Sequence, residues 1–498
     1  MSAAPEQRGR DRFDFTAPLP AAGDLGRVHF IAIGGAGVSG VALLLLQAGL
    51  EVSGSDAVHS ATLQALAAAG ATVHVGHDPS HLGRADTVII SGAVSESNVE
   101  LAAARERGLR VLHRAQGIAA LSQDRDAVAV AGANGKTTTS AMVVACLAAD
   151  GSAPGFVIGS VVAQFGASAQ VGVGPMVIEA DESDGSFVAY RPRVAIVTNV
   201  TPDHLDFYGD FAGVQRAFDR FVQTLGPDGL LVANADDPGS AALTSRARSR
   251  GQRVLTWGRS PEADVQVSGW AQQGRTSTAT LTWRSDVGEV AAQTVHRLSV
   301  PMPGAHNVEN AVAALLAATA GYGRPVEEAL TGLSHFAGTR RRFEWVAEAG
   351  GVEIIDDYAH NPQKVAAAVS AGRSVVKAGG RLVVAFQPHL YSRTADFAEQ
   401  FAEALSGADV VVVLDVFGAR EAPMPGVSGA LITEAMVRRH RDGSPQPVPQ
   451  VHYVAERGRA AGLVASLVRP RDVLITVGAG NVTTLGPEVT QLLERTDA

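Results

Sequence analysis

Two glycine-rich stretches constrain the fold more than any other feature of this sequence. Residues 34–40 read GGAGVSG after the apolar run 28–33, and residues 132–138 read GANGKTT after the apolar run 127–131. A helix-like run follows each of them. A strand that turns through glycines into a helix is the repeating unit of parallel α/β sheets, which bind ligands at the carboxyl ends of their strands. The sequence therefore predicts more than one α/β domain, each with a loop suited to an anionic ligand.

The alternation of apolar and helix-like runs restarts twice along the chain. Predicted strands lie at 28–33, 50–54, 87–91 and 110–112, then at 127–131, 177–179, 194–198 and 230–233, and finally at 352–355, 381–386, 410–414 and 473–477. A chain of 498 residues exceeds one ordinary hydrophobic core. We predict a disordered tail at 1–24 and three α/β domains. These are a Rossmann-like domain at 25–122, a P-loop ATPase-like domain at 123–331 and a second Rossmann-like domain at 332–498.

The composition excludes several classes of protein. A formal net charge of −9 argues against a basic nucleic-acid-binding surface, so anions have to be held by local sites. The single cysteine, Cys146, rules out an internal disulfide. The longest apolar stretches are too short to span a membrane, and the first residues lack the apolar core of a signal peptide. We predict a cytoplasmic protein with no nucleic-acid or membrane partner, and the oligomeric state stays open.

The second glycine-rich loop has the features of a phosphate-binding P-loop. Backbone N–H groups of such a loop surround phosphates at the start of the following helix. Lys136 is placed to reach the β- and γ-phosphates of ATP, and the Thr137 hydroxyl to bind Mg²⁺. Ala129 stands where the full motif has glycine, so the loop is a shortened form, and an incidental glycine-rich turn is the alternative. The predicted ATP-binding residues of the loop are Gly132, Asn134, Gly135, Lys136, Thr137 and Thr138.

The first glycine-rich loop fits the pattern G-x-G-x-x-G from Gly35 to Gly40. Asp56 follows at the end of the next predicted strand, at the spacing of the dinucleotide-binding fingerprint. The glycines admit a diphosphate to the start of the helix, whatever nucleoside carries it. An NAD(P)-dependent oxidoreductase is therefore an alternative, which the lysine-bearing second loop disfavours.

Acidic residues and a histidine follow two strands of the predicted central sheet. Residues 179–184 read EADESD, and residues 198–206 read TNVTPDHLD. Carboxylates beyond a P-loop are typical of Mg²⁺ sites, so Glu179 is a candidate metal ligand. His204 is a candidate metal ligand or general base, with a core histidine as the alternative. Two such strand ends favour a two-cation site that neutralises a triphosphate and an incoming carboxylate.

Polar side chains also mark later parts of the chain. Asn307 and Asn310 lie on one face at the start of a predicted helix. Helix capping explains Asn307 alone, whereas Asn310 is a candidate to contact an adenine or a ribose. The third domain has a basic run, RRR at 340–342, and polar residues follow two of its successive strands, namely DDYAHNP at 356–362 and QPHLYSR at 387–393. Their recurrence at strand ends favours a binding site over a solvated charge run.

Taken in order, these segments resemble the Mur ligases, and within that family its alanine-adding members, from Arg27 to Leu493. The matching segments are HFIAIGGAGVSG (29–40), SGSD (53–56), EADESDGS (179–186), TNVTPDHLDFYG (198–209), PGAHNVENA (303–311), GTRRRFE (338–344), FQPHLYSRT (386–394) and LDVFGARE (414–421). Family members that add later residues carry a carbamylated lysine shortly after the DHLD segment. Residues 213–218 of this chain read GVQRAF, without a lysine.

The resemblance implies an enzyme that uses ATP and Mg²⁺ to join L-alanine to the lactyl carboxylate of UDP-N-acetylmuramate through an acyl phosphate. It implies catalytic roles for Lys136, His204, Arg342, Asp357 and His360, metal ligands at Thr137, Glu179 and His204, and nucleotide contacts from Asn307, Asn310, Arg342 and Asp357. It also implies binding of the UDP-sugar by Gly34, Gly35, Ala36, Gly37, Val38, Ser39, Asp56, His389, Tyr391 and Arg393.

The chain departs from the alanine-adding pattern at a few positions. Those ligases typically read GTHGKTT, HHP and GAGD, whereas this chain has Ala133 and Asn134, Asn361, and Asn481. Asparagines at the first two sites resemble sister Mur ligases and folylpolyglutamate ligases. The alternatives are a murein-tripeptide recycling ligase, a folylpolyglutamate-type ligase and a non-catalytic relative that binds the UDP-sugar.

Overall fold

The computed structural model describes residues 12–123, 125–419, 421–441 and 449–496. Within these ranges the strands form three sheets, and the chain divides into two compact units. The first unit runs to Ala271 and adds Thr278–Pro301 and Ala305–Ala337, so it holds the first sheet and most of the second. The second unit comprises Gln272–Ser277, Met302–Gly304 and the described chain from Gly338 onward. The predicted α/β class with three sheet regions is confirmed.

The first sheet is parallel throughout its paired strands. Its strands are β1 (Val28–Ile31), β2 (Val52–Asp56), β3 (Thr72–Val75), β4 (Thr87–Ile90) and β5 (Arg110–His113), and its helices are α1 (Ala36–Gln47), α2 (Ala61–Ala68), α3 (Val99–Glu106) and α4 (Arg114–Leu121). All of β1 is buried, and it pairs with β2 on one side and β4 on the other. The strand order β3-β2-β1-β4-β5 reverses at β1, which is where open α/β sheets bind ligands.

Residues 12–24, which the sequence predicts to be part of a disordered tail, pack against the first sheet instead. The rings of Phe13 and Phe15 lie 5.2 and 5.4 Å from the His113 ring, between centroids. Phe15 and Leu19 also pack against the hydrophobic core, so these side chains anchor the segment. The rest of the predicted tail, residues 1–11, lies outside the described residues.

The central sheet places β6 between two parallel neighbours. Its strands are β6 (Ala127–Ala131), β7 (Gly155–Val162), β8 (Ala167–Gln170), β9 (Met176–Glu179), β10 (Val194–Val197), β11 (Leu230–Asn234), β12 (Arg253–Gly258), β13 (Val265–Gln273), β14 (Thr276–Trp283) and β15 (Val295–Val300), in the order β15-β14-β13-β12-β11-β10-β6-β9-β7-β8. Because β9, β6 and β10 are parallel, the residues that follow them meet at one edge of the sheet.

Helices accompany this central sheet. They are α5 (Lys136–Leu147), α6 (Leu205–Tyr208), α7 (Phe211–Gln223), α8 (Pro238–Ser249), α9 (Ala305–Tyr322) and α10 (Val326–Ser334). From Thr137 onward every residue of α5 is buried. Within the described ranges, no helix is both long and apolar enough to cross a bilayer.

The third sheet, in the second unit, is parallel except for one edge strand. Its strands are β16 (Glu344–Ala349), β17 (Val352–Asp357), β18 (Leu382–Phe386), β19 (Val410–Leu414), β20 (Gln450–Val454) and β21 (Val473–Val477), and its helices are α11 (Pro362–Val375), α12 (Tyr391–Leu405), α13 (Ala430–Arg441), α14 (Arg457–Leu467) and α15 (Leu485–Thr496). The order is β16-β17-β21-β18-β19-β20, and β16 pairs antiparallel with β17. The carboxyl ends of β17, β21 and β18 therefore lie side by side.

Candidate active site

The loop at residues 132–138 joins β6 to α5 and brings backbone N–H groups to the start of a buried helix. Gly132 has φ 137° and Gly135 has φ 88°, conformations that favour glycine. Lys136 is the first residue of α5, and its Nζ donates a hydrogen bond to the carbonyl of Gly132 at 2.6 Å. The ammonium group therefore lies over a loop that has the geometry of a phosphate site.

A buried carboxylate, Glu182, is the second partner of the P-loop lysine. Nζ of Lys136 donates to Oε1 of Glu182 at 2.8 Å, and the Glu182 side chain is 3% exposed. Oε2 of Glu182 has no hydrogen-bond partner among the described residues. Burial raises the pKa of Glu182, and the charge of Lys136 acts in the opposite direction. In the sequence, Glu182 is one member of the acidic cluster at residues 179–184. Its pairing with Lys136 depends on the tertiary structure, so no sequence signal distinguishes it from its neighbours.

Thr137 and Glu179, two of the predicted metal ligands, are in direct contact. The hydroxyl of Thr137 donates to Oε1 of Glu179 at 2.9 Å, and the backbone N–H of Gly159 donates to Oε2 at 2.6 Å. A hydroxyl and a carboxylate side by side are the oxygen ligands that Mg²⁺ takes from a protein, with water and phosphates filling its other positions. In the part of the chain that is described, no three His, Cys, Asp or Glu side chains converge on a metal-sized site.

His204, the third predicted ligand, lies beside Glu182. Its Nε2 is 3.8 Å from Oε1 of Glu182 and 3.9 Å from a carboxylate oxygen of Asp203. His204 has φ 54° and immediately precedes α6, so the backbone is held in the left-handed region. The Tyr208 hydroxyl at the end of α6 donates to the carbonyl of Glu182, which ties this segment to the strand end after β9.

The end of β10 holds the P-loop through a set of hydrogen bonds that we call the Asn134 clamp. The hydroxyl of Thr198 donates to the carbonyl of Asn134 at 2.6 Å, and the side-chain amide of Asn199 donates to the same carbonyl at 3.0 Å. The Asn199 side-chain oxygen accepts from the backbone N–H of Asn134 at 3.0 Å. A Cβ on Gly132 would lie 2.0 Å from the Thr198 hydroxyl, so only glycine fits there.

Of the two predicted amides of α9, Asn310 lies against the P-loop and Asn307 lies next to Asn310. A Cβ on Gly135 would lie 2.6 Å from Oδ1 of Asn310, so this amide packs directly on the loop. Asn310 and Asn307 are both buried, and the Asn310 amide donates to Oδ1 of Asn307 at 3.4 Å. Because α9 begins at Ala305, Asn307 is inside the helix and is not its cap.

Asp56, the acidic residue predicted to accompany the first glycine-rich loop, is hydrogen-bonded to that loop. The backbone N–H of Gly34 donates to Oδ2 of Asp56, at the end of β2, at 2.9 Å. Gly35 precedes α1, the helix that contains Gly37 and Ser39. The side chain of Val38 is buried, so this residue has only its backbone to offer a ligand. The side chain of Ala36 lies outside the described part of the chain.

Asp357, at the carboxyl end of β17, organises the predicted residues of the second unit. Its carboxylate accepts the backbone N–H groups of Phe343 and Ala359, each at 2.8 Å. Burial raises the pKa of Asp357, and the nearby charge of Arg342 acts to lower it. The guanidinium of Arg342 lies 5.4 Å from the ring centroid of Tyr358. The structure thus brings Arg342 close to Asp357.

His360, His389 and Arg393 also lie together, within the second unit. The rings of His360 and His389 are 6.1 Å apart, and Arg393 donates to the carbonyl of His360 at 3.3 Å. Burial lowers the pKa of His360 to about 4, so its imidazole is neutral near pH 7. Tyr391 is the first residue of α12, close to Gly418, whose added Cβ would lie 2.6 Å from the Tyr391 ring.

Three family models match consecutive parts of this chain. "Mur ligase family, catalytic domain" matches residues 27–126, "Mur ligase middle domain" matches residues 130–318, and "Mur ligase, glutamate ligase domain" matches residues 341–480. The chain belongs to the Mur ligase family. The first and the third of these ranges contain the first and the third sheet, and the middle range contains the central sheet apart from the start of β6.

Relatives of this Mur ligase match it over nearly their whole length. It is 51% identical over 486 residues to the UDP-N-acetylmuramate–L-alanine ligase of Kineococcus radiotolerans, covering 96% of this chain and 99% of the relative. The corresponding ligase of Thermobifida fusca is 46% identical, with 94% and 97% covered. Among solved structures, the UDP-N-acetylmuramate–alanine ligase of Thermotoga maritima has a TM-score of 0.77 at 26% identity, with 94% and 99% covered. A murein peptide ligase from Psychrobacter arcticus shares the fold, with a TM-score of 0.66 at 23% identity and the same coverage.

The departures from the alanine-adding pattern have local structural partners in this Mur ligase. Asn134 is the residue held by the Asn134 clamp, and the side chain of Ala133 is buried beside it. Asn481 accepts a hydrogen bond from the side-chain amide of Gln387 at 2.9 Å. Asn361 caps α11, because its side-chain oxygen accepts the backbone N–H of Lys364 at 2.8 Å.

Replacing Asn361 with alanine is expected to destabilise this Mur ligase by about 1 kcal/mol and to leave its turnover nearly unchanged. The substitution removes a helix cap, and a lost cap of this kind costs about 0.5–2 kcal/mol. Asn361→Ser keeps an oxygen for the Lys364 N–H and is the matched control, expected to unfold at nearly the same urea concentration as the parent. A large fall in kcat for both variants, without a change in stability, would instead place Asn361 at the substrate.

Proposed function

We propose that this chain catalyses the ATP-dependent ligation of L-alanine to the lactyl carboxylate of UDP-N-acetylmuramate, in cytoplasmic peptidoglycan precursor synthesis. The observation that carries the proposal is the 51% identity to a UDP-N-acetylmuramate–L-alanine ligase across 99% of that ligase. Mur ligases are ATP-dependent, and the contacts of Lys136 with Gly132 and of Thr137 with Glu179 support that use of ATP. The proposed domain boundaries are those predicted from the sequence, at 122/123 and 331/332.

Phosphoryl transfer is the first proposed step. The lactyl carboxylate attacks the γ-phosphorus of ATP, an O–P bond forms, and the bond to the ADP oxygen breaks, which yields an acyl phosphate. Such transfers depend mainly on positioning and charge neutralisation. We assign Lys136 to the β- and γ-phosphates, the backbone N–H groups of residues 132–138 to the phosphate oxygens, and Asn307 and Asn310 to the adenosine.

The residues present fit a magnesium ion as the companion of ATP. The hydroxyl of Thr137 and the carboxylate of Glu179 are adjacent oxygen ligands. Nε2 of His204 lies 3.8 Å from Oε1 of Glu182, at the same edge of the central sheet. We propose Thr137, Glu179 and His204 as the residues that hold it. When bound, Mg²⁺ supplies charge neutralisation for the triphosphate and the incoming carboxylate.

Amide formation is the second proposed step. The L-alanine amine attacks the acyl carbon, the C–N bond forms, and inorganic phosphate leaves the tetrahedral intermediate while the amine loses a proton. We propose that Arg342 and Asp357 act on the nucleotide, and that His360, His389, Tyr391 and Arg393 contact the acceptor sugar nucleotide and the amine. Burial lowers the pKa of His360 to about 4, so near pH 7 its imidazole is neutral and offers a hydrogen-bond acceptor rather than a strong base.

Phosphate release from ATP tests the proposed reaction. The assay supplies UDP-N-acetylmuramate together with L-alanine, glycine, L-serine or L-Ala-γ-D-Glu-diaminopimelate, each separately. Release that needs both the sugar nucleotide and L-alanine, with the product identified by mass spectrometry, is the expected result. Release only with the tripeptide would assign the chain to recycling. Tight binding of the sugar nucleotide without turnover for any amine would identify a non-catalytic relative.

A further inference from the structure

The first turn of α12 carries Tyr391 and Arg393, and the backbone is irregular on both sides of it. Leu390, the residue before the helix, has φ 70°, a conformation that leucine rarely adopts. Phe397, inside the helix, has φ −124° and ψ 17°, which are not helical values. Because α12 is interrupted at Phe397, the position of its first turn depends in part on contacts from outside the helix.

Glu421, which follows β19 in the chain, supplies such a contact. The N–H groups at the start of a helix need partners, and the Leu390 side chain has no atom that could accept them. Oε2 of Glu421 accepts the backbone N–H of Ser392 at 3.0 Å, and Oε1 accepts the Ser392 hydroxyl at 2.5 Å. A carboxylate in this position also interacts favourably with the helix dipole. Glu421 therefore caps α12 from a separate segment of the chain.

The residues that follow β19 also pack along the segment that leads into α12. The backbone N–H of Phe417 donates to the carbonyl of Pro388 at 2.8 Å, and that of Leu390 donates to the carbonyl of Phe417 at 3.0 Å. A Cβ on Gly418 would lie 2.6 Å from the ring of Tyr391, so any larger residue there would displace this ring. The segment after β19 thus holds the start of α12 through its backbone and through Glu421.

A shift of this turn would reach other candidate site residues of the second unit. Arg393 donates a hydrogen bond to the carbonyl of His360 at 3.3 Å. The ring of Phe417 is stacked on that of His389, with 6.1 Å between the centroids. The hydroxyl and then the backbone N–H of Ser392 lower the pKa of Glu421, so the group that holds the turn is ionised near pH 7.

We propose that Glu421 is a positioning residue for the ligation, because its two contacts with Ser392 hold the turn that presents Tyr391 and Arg393 to the substrates. Glu421 itself touches neither substrate, and no bond is made or broken at it. This inference rests on the proposed function, which assigns Tyr391 and Arg393 to the acceptor sugar nucleotide and the amine.

The test compares the full-length protein with Glu421→Ala, Glu421→Gln and Ser392→Ala in steady-state assays. Glu421→Ala is expected to raise KM for UDP-N-acetylmuramate and L-alanine about tenfold and KM for ATP less than about twofold, because the ATP site lies at the P-loop. Glu421→Gln is expected to recover most of the loss, since an amide can accept the Ser392 N–H and donate to its hydroxyl. Ser392→Ala loses one hydrogen bond of the two, and an effect of about threefold is expected.

A control variant and a local measurement separate positioning from general loss of structure. Glu403, also in α12, is 66% exposed and lies 3.7 Å from Arg439, so Glu403→Gln is expected to leave every KM unchanged. Hydrogen exchange of Glu421→Ala is expected to be faster in peptides covering residues 388–397 and equal to the parent's in β17, β18 and β21. Ser392→Ala provides the same comparison if Glu421→Ala folds poorly.

Three other outcomes overturn the inference in distinguishable ways. If the parent is an active ligase and both Glu421→Ala and Ser392→Ala keep its KM values, the role of Glu421 is wrong and the proposed function stands. A similar rise in KM for all three substrates, with faster exchange throughout the third sheet, would reduce Glu421 to a structural residue. If the parent ligates no amine to the sugar nucleotide, the proposed function fails and this inference fails with it.

Discussion

Replacing Lys136 with alanine is expected to lower ATP-dependent turnover by a factor of about 10³ or more while leaving UDP-N-acetylmuramate binding intact. The substitution removes the cation nearest the phosphate loop, and a single preorganised charge at a transferring phosphoryl group accounts for an effect of this order. The sugar nucleotide is expected to keep its affinity, because the loop proposed to bind it follows a strand of a different sheet. Phosphate-release kinetics and isothermal titration measure the two quantities.

A second variant separates chemistry from folding. Without Lys136, the carboxylate of Glu182 is buried without its cation, which costs about 3–5 kcal/mol when one partner of a buried pair is removed. The double variant Lys136→Ala/Glu182→Gln removes that unpaired charge, so it is expected to regain stability but not activity. Turnover close to the parent's in the single variant would contradict the assignment of Lys136 to the phosphates.

Glu100→Gln is expected to destabilise the first sheet by about 2–3 kcal/mol at pH 7. Glu100, in the first turn of α3, is fully buried and accepts hydrogen bonds from Ser55, His77 and His81. Burial alone raises its pKa, but these partners and His29 outweigh burial and lower it from 4.5 to about 2. One pKa unit corresponds to about 1.4 kcal/mol, and glutamine brings an N–H group against existing donors.

The pH dependence of this effect has a definite sign. A carboxylate whose pKa is depressed in the folded state stabilises the protein above its unfolded pKa, and this stabilisation is lost as the pH falls through the folded pKa. The difference between the parent and Glu100→Gln is therefore expected to be full above pH 4.5 and to shrink toward pH 2. Hydrogen exchange of peptides from β1 to β3, measured at several pH values, reports it locally.

An exposed carboxylate provides the control for Glu100. Glu399 pairs with Arg438 at 2.8 Å, and both side chains are 54% exposed. Glu399→Gln is expected to change the free energy of unfolding by less than about 0.5 kcal/mol, as exposed pairs contribute little. A Glu100→Gln protein with the parent's exchange rates at neutral pH would show that the buried carboxylate is not a net source of stability.

The buried parallel strands were predictable, whereas the exposed and antiparallel ones were not. β1, β6 and β10 are continuous apolar runs because both of their faces are covered, and the structure places them within a residue or two of the predicted positions. β3 has no fully buried residue, and β14 alternates between buried and partly buried positions, so neither has an apolar run to detect. The order of the strands depends on packing between distant segments.

In the candidate site, too, some contacts were predictable from the sequence and others were not. Thr137 and Glu179 are predictable partners, because the carboxyl ends of neighbouring parallel strands meet. The pairing of Glu182 with Lys136 was missed, because which of several nearby carboxylates faces the loop depends on side-chain directions.

The Asn134 clamp has a consequence for the thermodynamics of nucleotide binding. Both peptide groups flanking the side chain of Asn134 are hydrogen-bonded to side chains at the end of β10, which belong to the protein itself. Ordering a flexible backbone residue costs about 1–2 kcal/mol of conformational entropy. Here that cost is met when the central sheet folds, so the free energy of binding the triphosphate does not include the cost of ordering this residue. Affinity for ATP is thereby set in part by two side chains that need not touch it.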